Sequence, residues 1–275
     1  MRTIAIINQK GGVGKTTTAV NLSAALAASG RRVCLVDLDP QAHASLHLGV
    51  SLPESALSIY DILTNGVDAA QVRQQLTENL WLVPSHLDLA AAELELADEP
   101  RRELLLRDRL FADRTDFDYV ICDCPPSLGI LTINALTFVR EVILPLQPHF
   151  LALHGLSKLL MTIDVVSQRL NHDLRLTGVV LCLYDSGTRL AAEVSSDVAA
   201  FFSTAPARPT AWSDAIVFAT RIRRNIRLAE APSYGKSVFQ YSPQSPGAED
   251  YRRLASEVIA SEASVNGLIA MPTAA

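Results

Sequence analysis

Short apolar runs recur along the chain, each followed by a stretch with helical spacing, and this alternation sets the expected fold. Thr3 to Asn8 reads as a buried strand and Thr16 to Ser29 as a helix ending at Gly30. Arg32 to Val36 is a second strand, followed by an acidic turn. Leu80 to Val83, Tyr119 to Cys122, Val142 to Leu146 and Leu176 to Leu183 are further runs rich in Val, Ile and Leu. Helical segments separate them: Asp88 to Leu96, Arg101 to Phe111, Leu128 to Val139, Gly155 to Leu170 and Ala191 to Phe202. The strands are continuously apolar rather than alternating, so both faces are expected to be buried. That predicts a single α/β domain, a mostly parallel twisted sheet with helices on both faces. A last helix has a legible start, with Ser245 as cap, Pro246 at the first helical position, and Glu249 and Asp250 near the positive end of the dipole. Ala205 to Ser213 reads as a proline-broken surface loop. The domain is expected over residues 1–262, with 263–275 a weakly patterned tail that frays.

Composition agrees with this picture and narrows it. The chain has 275 residues, 49% apolar and 19% charged, enough for one large core and too apolar for global disorder. Its net charge of −5 argues against an overall basic coat, so any nucleic-acid surface must be a local patch. The run Ile4 to Ile7 is too short for a signal-peptide core, and no stretch approaches the roughly 18–20 apolar residues of a membrane span. A cytoplasmic protein is expected. Cys34, Cys122, Cys124 and Cys182 sit in or beside strand-like runs, which fits buried thiols better than a disulfide framework.

The strongest chemical signal lies between the first strand and the first helix, in Lys10-Gly11-Gly12-Val13-Gly14-Lys15-Thr16-Thr17. Glycines there let successive backbone N–H groups curl toward phosphate oxygens, and the following helix adds its N-terminal dipole. Lys15 is placed to meet β- and γ-phosphates, and the Thr16 hydroxyl to bind Mg²⁺. A P-loop NTPase using ATP and Mg²⁺ is the expectation. Gln9 stands where the usual P-loop pattern begins with glycine, and Lys10 precedes the glycine pair instead. Asp37 and Asp39 follow the second strand and Asp123 ends the Tyr119 run, so all three acids fall at carboxyl ends of strands. In an open parallel sheet that is the edge where ligands bind.

The K-G-G-V-G-K-T-T form resembles the deviant Walker A loop of the ParA/MinD family, which also includes nitrogenase iron protein. The resemblance implies that Lys10 reaches across an ATP-bound homodimer to the partner's nucleotide, as an arginine finger does. It implies that Asp39, in D-L-D-P-Q, orients the attacking water, that Asp37 lies near the metal, and that Asp123 is the Walker B acid holding Mg²⁺ through water. The alternative for Lys10 is a solvated loop lysine. From Ile222 to Lys236 the chain resembles the chromosomal, Soj-like ParA subgroup, whose usual form is I-P-R-N-V-R-L-S-E-A-P-S-x-G-K. The resemblance, which spans most of the chain, puts Arg224 on a non-specific DNA surface and Asn225 at the adenine. Arg221, Arg223, Arg224 and Arg227 lie within seven residues with no acid among them, a cluster that is either a solvated face or a tracker of DNA phosphates. Arg223 replaces the family's proline, and Gly187 stands where a second DNA-contacting arginine is common, with Arg189 nearby.

These readings imply a nucleoid-associated positioning ATPase that segregates chromosome, plasmid or other cargo, with hydrolysis stimulated by a ParB-type centromere-binding protein or a cargo adaptor. The alternative is a membrane-cycling division regulator like MinD, which needs a basic amphipathic anchor. The residues after Tyr251 are mainly small, and no such anchor is apparent. The chain starts at the first strand, so no added helix-turn-helix domain is expected. His43 and His47 have a zinc-like spacing without an obvious third ligand, Cys122 and Cys124 read as core thiols, and Trp81 and Trp212 read as isolated aromatics.

Overall fold

Apolar runs that lie far apart in sequence become adjacent strands of one sheet. The computed structural model describes residues 1–110, 117–149, 152–204 and 208–262. The end of the helix expected at Phe111, the first part of the Ala205 to Ser213 loop and the 263–275 tail lie outside the described residues. In order, the chain forms β1 (Arg2–Ile6), α1 (Lys15–Ala28), β2 (Val33–Asp37), α2 (His43–His47), α3 (Ile59–Asn65), α4 (Ala69–Val72) and β3 (Gln74–Thr77). Next come β4 (Leu80–Val83), α5 (Leu89–Glu95), α6 (Leu105–Arg109), β5 (Tyr119–Asp123), α7 (Ile130–Phe138) and β6 (Glu141–Leu146). Then follow α8 (Ala152–Arg169), β7 (Arg175–Tyr184), α9 (Arg189–Ser203), β8 (Ile216–Arg223), α10 (Ile226–Glu230), α11 (Val238–Tyr241) and α12 (Pro246–Ala260).

The sheet order is β3-β4-β2-β5-β1-β6-β7-β8, and each pairing is parallel except β3 with β4. Strands β1, β2, β5 and β6 are buried at every residue, as continuous apolar runs require of a sheet covered on both faces. Ala5, Val36, Val120 and Leu144 share one core with Ile62 of α3, Leu136 of α7 and Ile163 of α8. Ile4, Ile6, Leu35 and Ile121 share the other with Leu22 and Leu26 of α1 and Tyr251 and Leu254 of α12.

Several elements lie outside the apolar pattern. Helix α3 opens on a capping box, where the Ser58 hydroxyl accepts from Tyr60 N and the Asp61 carboxylate from Ser58 N. Strand β3 is a mostly exposed edge. The helix expected from Arg101 begins instead as a 3₁₀ turn over Arg102–Leu104, because Arg101 takes a left-handed conformation (φ 59) before α6. Strand β8 alternates exposed and buried residues, and its outward positions include Arg221. Between Val217 and Arg221 it carries more residues than β7 opposite. The amides of Ala219 and Thr220 in this bulge donate to the Glu257 carboxylate of α12, at 2.8 and 2.7 Å. The two tryptophans are not isolated. Trp81 meets Phe117 edge-on at 5.3 Å, and Trp212 stacks on Phe201 at 5.6 Å with Phe202 edge-on at 6.4 Å. Those last partners come from α9, so proximity in space, not sequence, makes the cluster.

At the amino ends of the strands a buried ion pair closes the fold. Arg2 donates Nε to Glu141 Oε1 (2.8 Å) and Nη2 to Oε2 (2.6 Å), and Thr177 Oγ1 also donates to Oε2 (2.9 Å). Arg2 reaches on to the Val258 carbonyl and Ser261 Oγ, which joins β1, β6 and β7 to the end of α12. Both side chains of the pair are under a tenth exposed (8% and 6%), so removing one leaves the other charge buried without its partner. Glu141→Ala is expected to cost about 3–5 kcal/mol in denaturant unfolding. A loss of only a few tenths, about what a surface pair gives, would show the charges to be solvated.

Candidate nucleotide site and basic rim

Three neighbouring strands bring their carboxyl ends to one rim. Asp37 of β2 is in register with Asp123 of β5, and Asp123 with Ile6 of β1, whose chain runs on into the glycine-rich loop. Asn8 pins the base of that loop: its Nδ2 donates to the Pro145 carbonyl (2.7 Å) and its Oδ1 accepts from Lys10 N (2.9 Å). Gly12 (φ 72) and Gly14 (φ 95) take left-handed conformations that side chains disfavour. Gly14 also faces Cys182, 3.5 Å from where a Cβ would stand. Val13 between them is buried and anchors the loop. No side chain caps α1 at Gly14, so the free N–H groups of the first turn and the positive end of the helix dipole face the loop. Thr16 and Thr17 are half-buried in that turn.

Lys15 is buried, and its Nζ donates to the Lys10 carbonyl at 3.1 Å. Burial lowers its pKa, against the opposing pull of the Asp123 and Asp39 carboxylates. Lys10 is exposed, with its Nζ against His149 Nε2.

The three acids differ in what holds them. Asp37 is fully buried and accepts from Ser45 N (2.8 Å), Ser45 Oγ (2.7 Å) and Asp39 N (3.2 Å). Burial pushes its pKa up to about 6 despite those donors. Asp39 is nearly buried; its Oδ1 accepts from Gln41 N (2.9 Å) and its carbonyl from Ser85 Oγ (2.8 Å). Asp123 is fully buried, yet neither carboxylate oxygen has a hydrogen-bond partner. Desolvation first, and then the neighbouring Asp37 charge, raise its pKa well above the usual carboxylate range. The Thr16 side chain stands near and favours the charged form without reaching hydrogen-bond geometry.

A buried carboxylate without protein donors is a fitting ligand for a hard divalent cation. Asp123 and the Thr16 hydroxyl are therefore the groups that would hold Mg²⁺, and the ion would neutralise charge on a bound phosphate chain. Asp37, expected near the metal, is the sheet neighbour of Asp123 and has a structural part as well. Three donors already engage it, and it locks the turn carrying Asp39 to Ser45. No three His, Cys, Asp or Glu side chains converge on a metal position among the described residues. His47 is buried with Nε2 unpartnered and its pKa lowered to about 4 by burial, and no third ligand joins His43 and His47 among the described residues. All four cysteines are free and buried.

The arginine segment lies on the same rim, at the end of β8, and its members are not equivalent. Arg221 stacks its guanidinium 4.5 Å over the Tyr184 ring and donates Nη1 to Tyr184 Oη (2.7 Å). Arg223 is tied to Asp250 and Glu249 of α12. Arg224 is exposed and has no ion pair among the described residues. Arg227 pairs with Glu230 at 2.7 Å on an exposed face. Asn225 caps α10, its Oδ1 accepting from Arg227 N (2.9 Å), which leaves its NH₂ for another partner. Gly187 lies in an exposed turn held by Asp185 Oδ1, just ahead of Arg189 at the start of α9. Ser45, Ser85 and His149, which contact the acids and Lys10, carry no local sequence signal.

A family model described as an AAA domain matches residues 1–176. The sporulation initiation inhibitor protein Soj of Bacillus subtilis is 46% identical over 258 residues, covering 94% of this chain and 98% of Soj. The chain belongs to the ParA/MinD family of P-loop ATPases. Within it, the chromosome partitioning protein ParA of Caulobacter vibrioides is 44% identical over 95% of both chains. Cobyrinic acid a,c-diamide synthase from Mycobacterium smegmatis, solved with bound ADP and magnesium, superposes with a TM-score of 0.80 at 37% identity over 96% of both chains. The cell division ATPase MinD of Pyrococcus furiosus gives 0.73 at 26% identity, covering 94% of this chain and 98% of MinD. No helix of the described residues is long and apolar enough to cross a membrane.

Proposed function

We propose that this ParA-family chain, with its ATPase domain over residues 1–262, binds and hydrolyses Mg²⁺·ATP, dimerises while ATP is bound, and in that state holds DNA non-specifically. It thereby positions a chromosome, plasmid or other cargo on the nucleoid in the cytoplasm, and a ParB-type partner or cargo adaptor stimulates hydrolysis and release. The observation that carries this reading is Asp123: a buried carboxylate with two unpartnered oxygens, beside a left-handed glycine loop and the uncapped start of α1. The Soj and ParA relatives supply the cellular role. Lys10 is read as the dimer link because it is exposed and stands where the deviant Walker A loop carries the lysine that reaches a partner's nucleotide.

Analytical ultracentrifugation tests this directly. With saturating ATP and Mg²⁺, and hydrolysis blocked by Asp39→Ala, the chain is expected to sediment as a dimer. Adding Lys10→Ala is expected to return it to a monomer while a fluorescent ATP analogue still binds. A chain that remains monomeric in both forms would refute the proposal.

A further inference from the structure

The four arginines of the rim look alike in sequence and differ in who already holds their charge. Arg223 is engaged through Nε and Nη2, although its side chain is 43% exposed. Its Nε lies 3.0 Å from both Asp250 oxygens, and its Nη2 lies 2.6 Å from Oδ1. Nη2 also reaches Glu249 Oε2 and the Pro246 carbonyl, each at 3.3 Å, and the Arg223 amide donates to Asp250 Oδ2 at 2.9 Å. The Asp250 side chain is only 4% exposed. Turning Arg223 toward an outside anion would strand a buried carboxylate, whereas a phosphate on the surface offers only a screened, solvated contact in exchange.

Its neighbours face no such penalty. Arg221 leans on a neutral ring and hydroxyl, so its full positive charge faces outward. Arg224 has no acid against it among the described residues, and its amide donates to the Tyr184 carbonyl at 3.1 Å, which fixes its place beside Arg221. Arg227 shares Glu230 with Tyr241, and Glu230 is 35% exposed, so a phosphate can compete for this arginine without leaving a charge buried.

We infer that Asp250, assisted by Glu249, withholds Arg223 from polyanions, and that the phosphate-contacting surface of each protomer is carried by Arg221 and Arg224 around Tyr184, with Arg227 joining where a phosphate displaces Glu230. The inference rests on the proposed DNA binding and goes beyond it: Asp250, on another element, sets how many phosphates the rim can neutralise. Helix α12 thus attenuates the affinity for duplex backbone. Asp250 is a positioning residue here, acting through Arg223.

The test is the salt dependence of binding to a random-sequence duplex, measured by fluorescence anisotropy on the full chain with ATP and Mg²⁺. Each phosphate neutralised contributes about 0.9 to the slope of log affinity against log salt, an extra factor of about 3–4 in affinity for every fourfold change in salt. Arg221→Gln and Arg224→Gln are each expected to flatten the slope by about 1 per protomer. The paired change Arg223→Gln/Asp250→Asn removes both charges while keeping hydrogen-bonding groups, and is expected to leave the slope at its wild-type value. Asp250→Asn alone is expected to steepen it by about 1 per protomer. If the paired change flattens the slope as Arg224→Gln does, Arg223 is a DNA contact and the inference is overturned while DNA binding stands. If neither the wild type nor Asp250→Asn binds DNA in any nucleotide state, the DNA reading is overturned and the inference with it.

Discussion

Asp39→Ala is expected to reduce ATP turnover about 10²–10³-fold while leaving nucleotide affinity within a few-fold of wild type. The two effects separate because of how the turn is held. The Asp39 carbonyl accepts from Ser85 Oγ, and Asp39 N donates to Asp37, so its backbone is fixed independently of its side chain. The carboxylate itself makes one local bond, to Gln41 N, which water can replace on a rim. The phosphate loop is held by Asn8, Val13 and its glycines and does not depend on Asp39. What the substitution removes is a negative acceptor aimed at the rim, the group that would orient a water for in-line attack. Phosphate release and titration with a fluorescent ATP analogue measure the two quantities. Turnover within about threefold of wild type would remove Asp39 from the reaction, since such groups act through larger factors.

Asp123→Asn is expected to act in opposite directions on folding and on function. In the chain without metal, Asp123 is buried, unpartnered and next to Asp37 in register, so its charge opposes folding. The amide removes that charge and should stabilise the metal-free protein by about 1–3 kcal/mol. The gain should depend on pH. Both acids bind protons more tightly when folded, with Asp37 raised to about 6 and Asp123 raised as well, whereas an unfolded carboxyl titrates near 4. The stability contributed by their protonated forms is therefore present at low pH and is lost as pH rises from about 4 through the folded values. The advantage of Asp123→Asn over wild type should be small near pH 4 and grow toward neutrality. Mg²⁺ with ATP should reverse the order, stabilising the wild type and not the variant. Thermal midpoints of both proteins across pH, with and without Mg²⁺·ATP, test this. A variant less stable than wild type at neutral pH without metal would show that water or an unseen donor already satisfies Asp123.

Much of the site could be read from the sequence because its parts are local. A glycine pair, a lysine and a hydroxyl between an apolar run and a helix specify their own backbone conformation, and the structure places Gly12 and Gly14 in the left-handed region. Asp37, Asp39 and Asp123 were legible as a group because a parallel sheet sends every carboxyl end to one edge. Their different burdens were not, since Ser45 reaches Asp37 through a turn and Asp123 is defined by what fails to reach it. The arginine segment is only partly legible for a related reason. Counting acids only between neighbouring residues left out Asp250, which reads as a helix-dipole residue and in the structure turns back to Arg223. Helix α3 carried a usable signal in Ser58 and Asp61, hidden because its apolar run is short. Strand β8 was hidden because an edge strand alternates, and its exposed positions, Ile216, Ala219 and Arg221, mix apolar and charged residues.

Glu257, which takes the two spare amides of the β8 bulge, has a bearing on self-association. A sheet border with idle N–H groups invites a foreign chain to zip on as one more strand, the first step toward fibres. Here the outermost strand is kinked and its loose donors are occupied by a side chain of its own molecule. At this border two donors are thereby closed to a foreign chain, whereas β3 forms the opposite and mostly exposed border of the sheet.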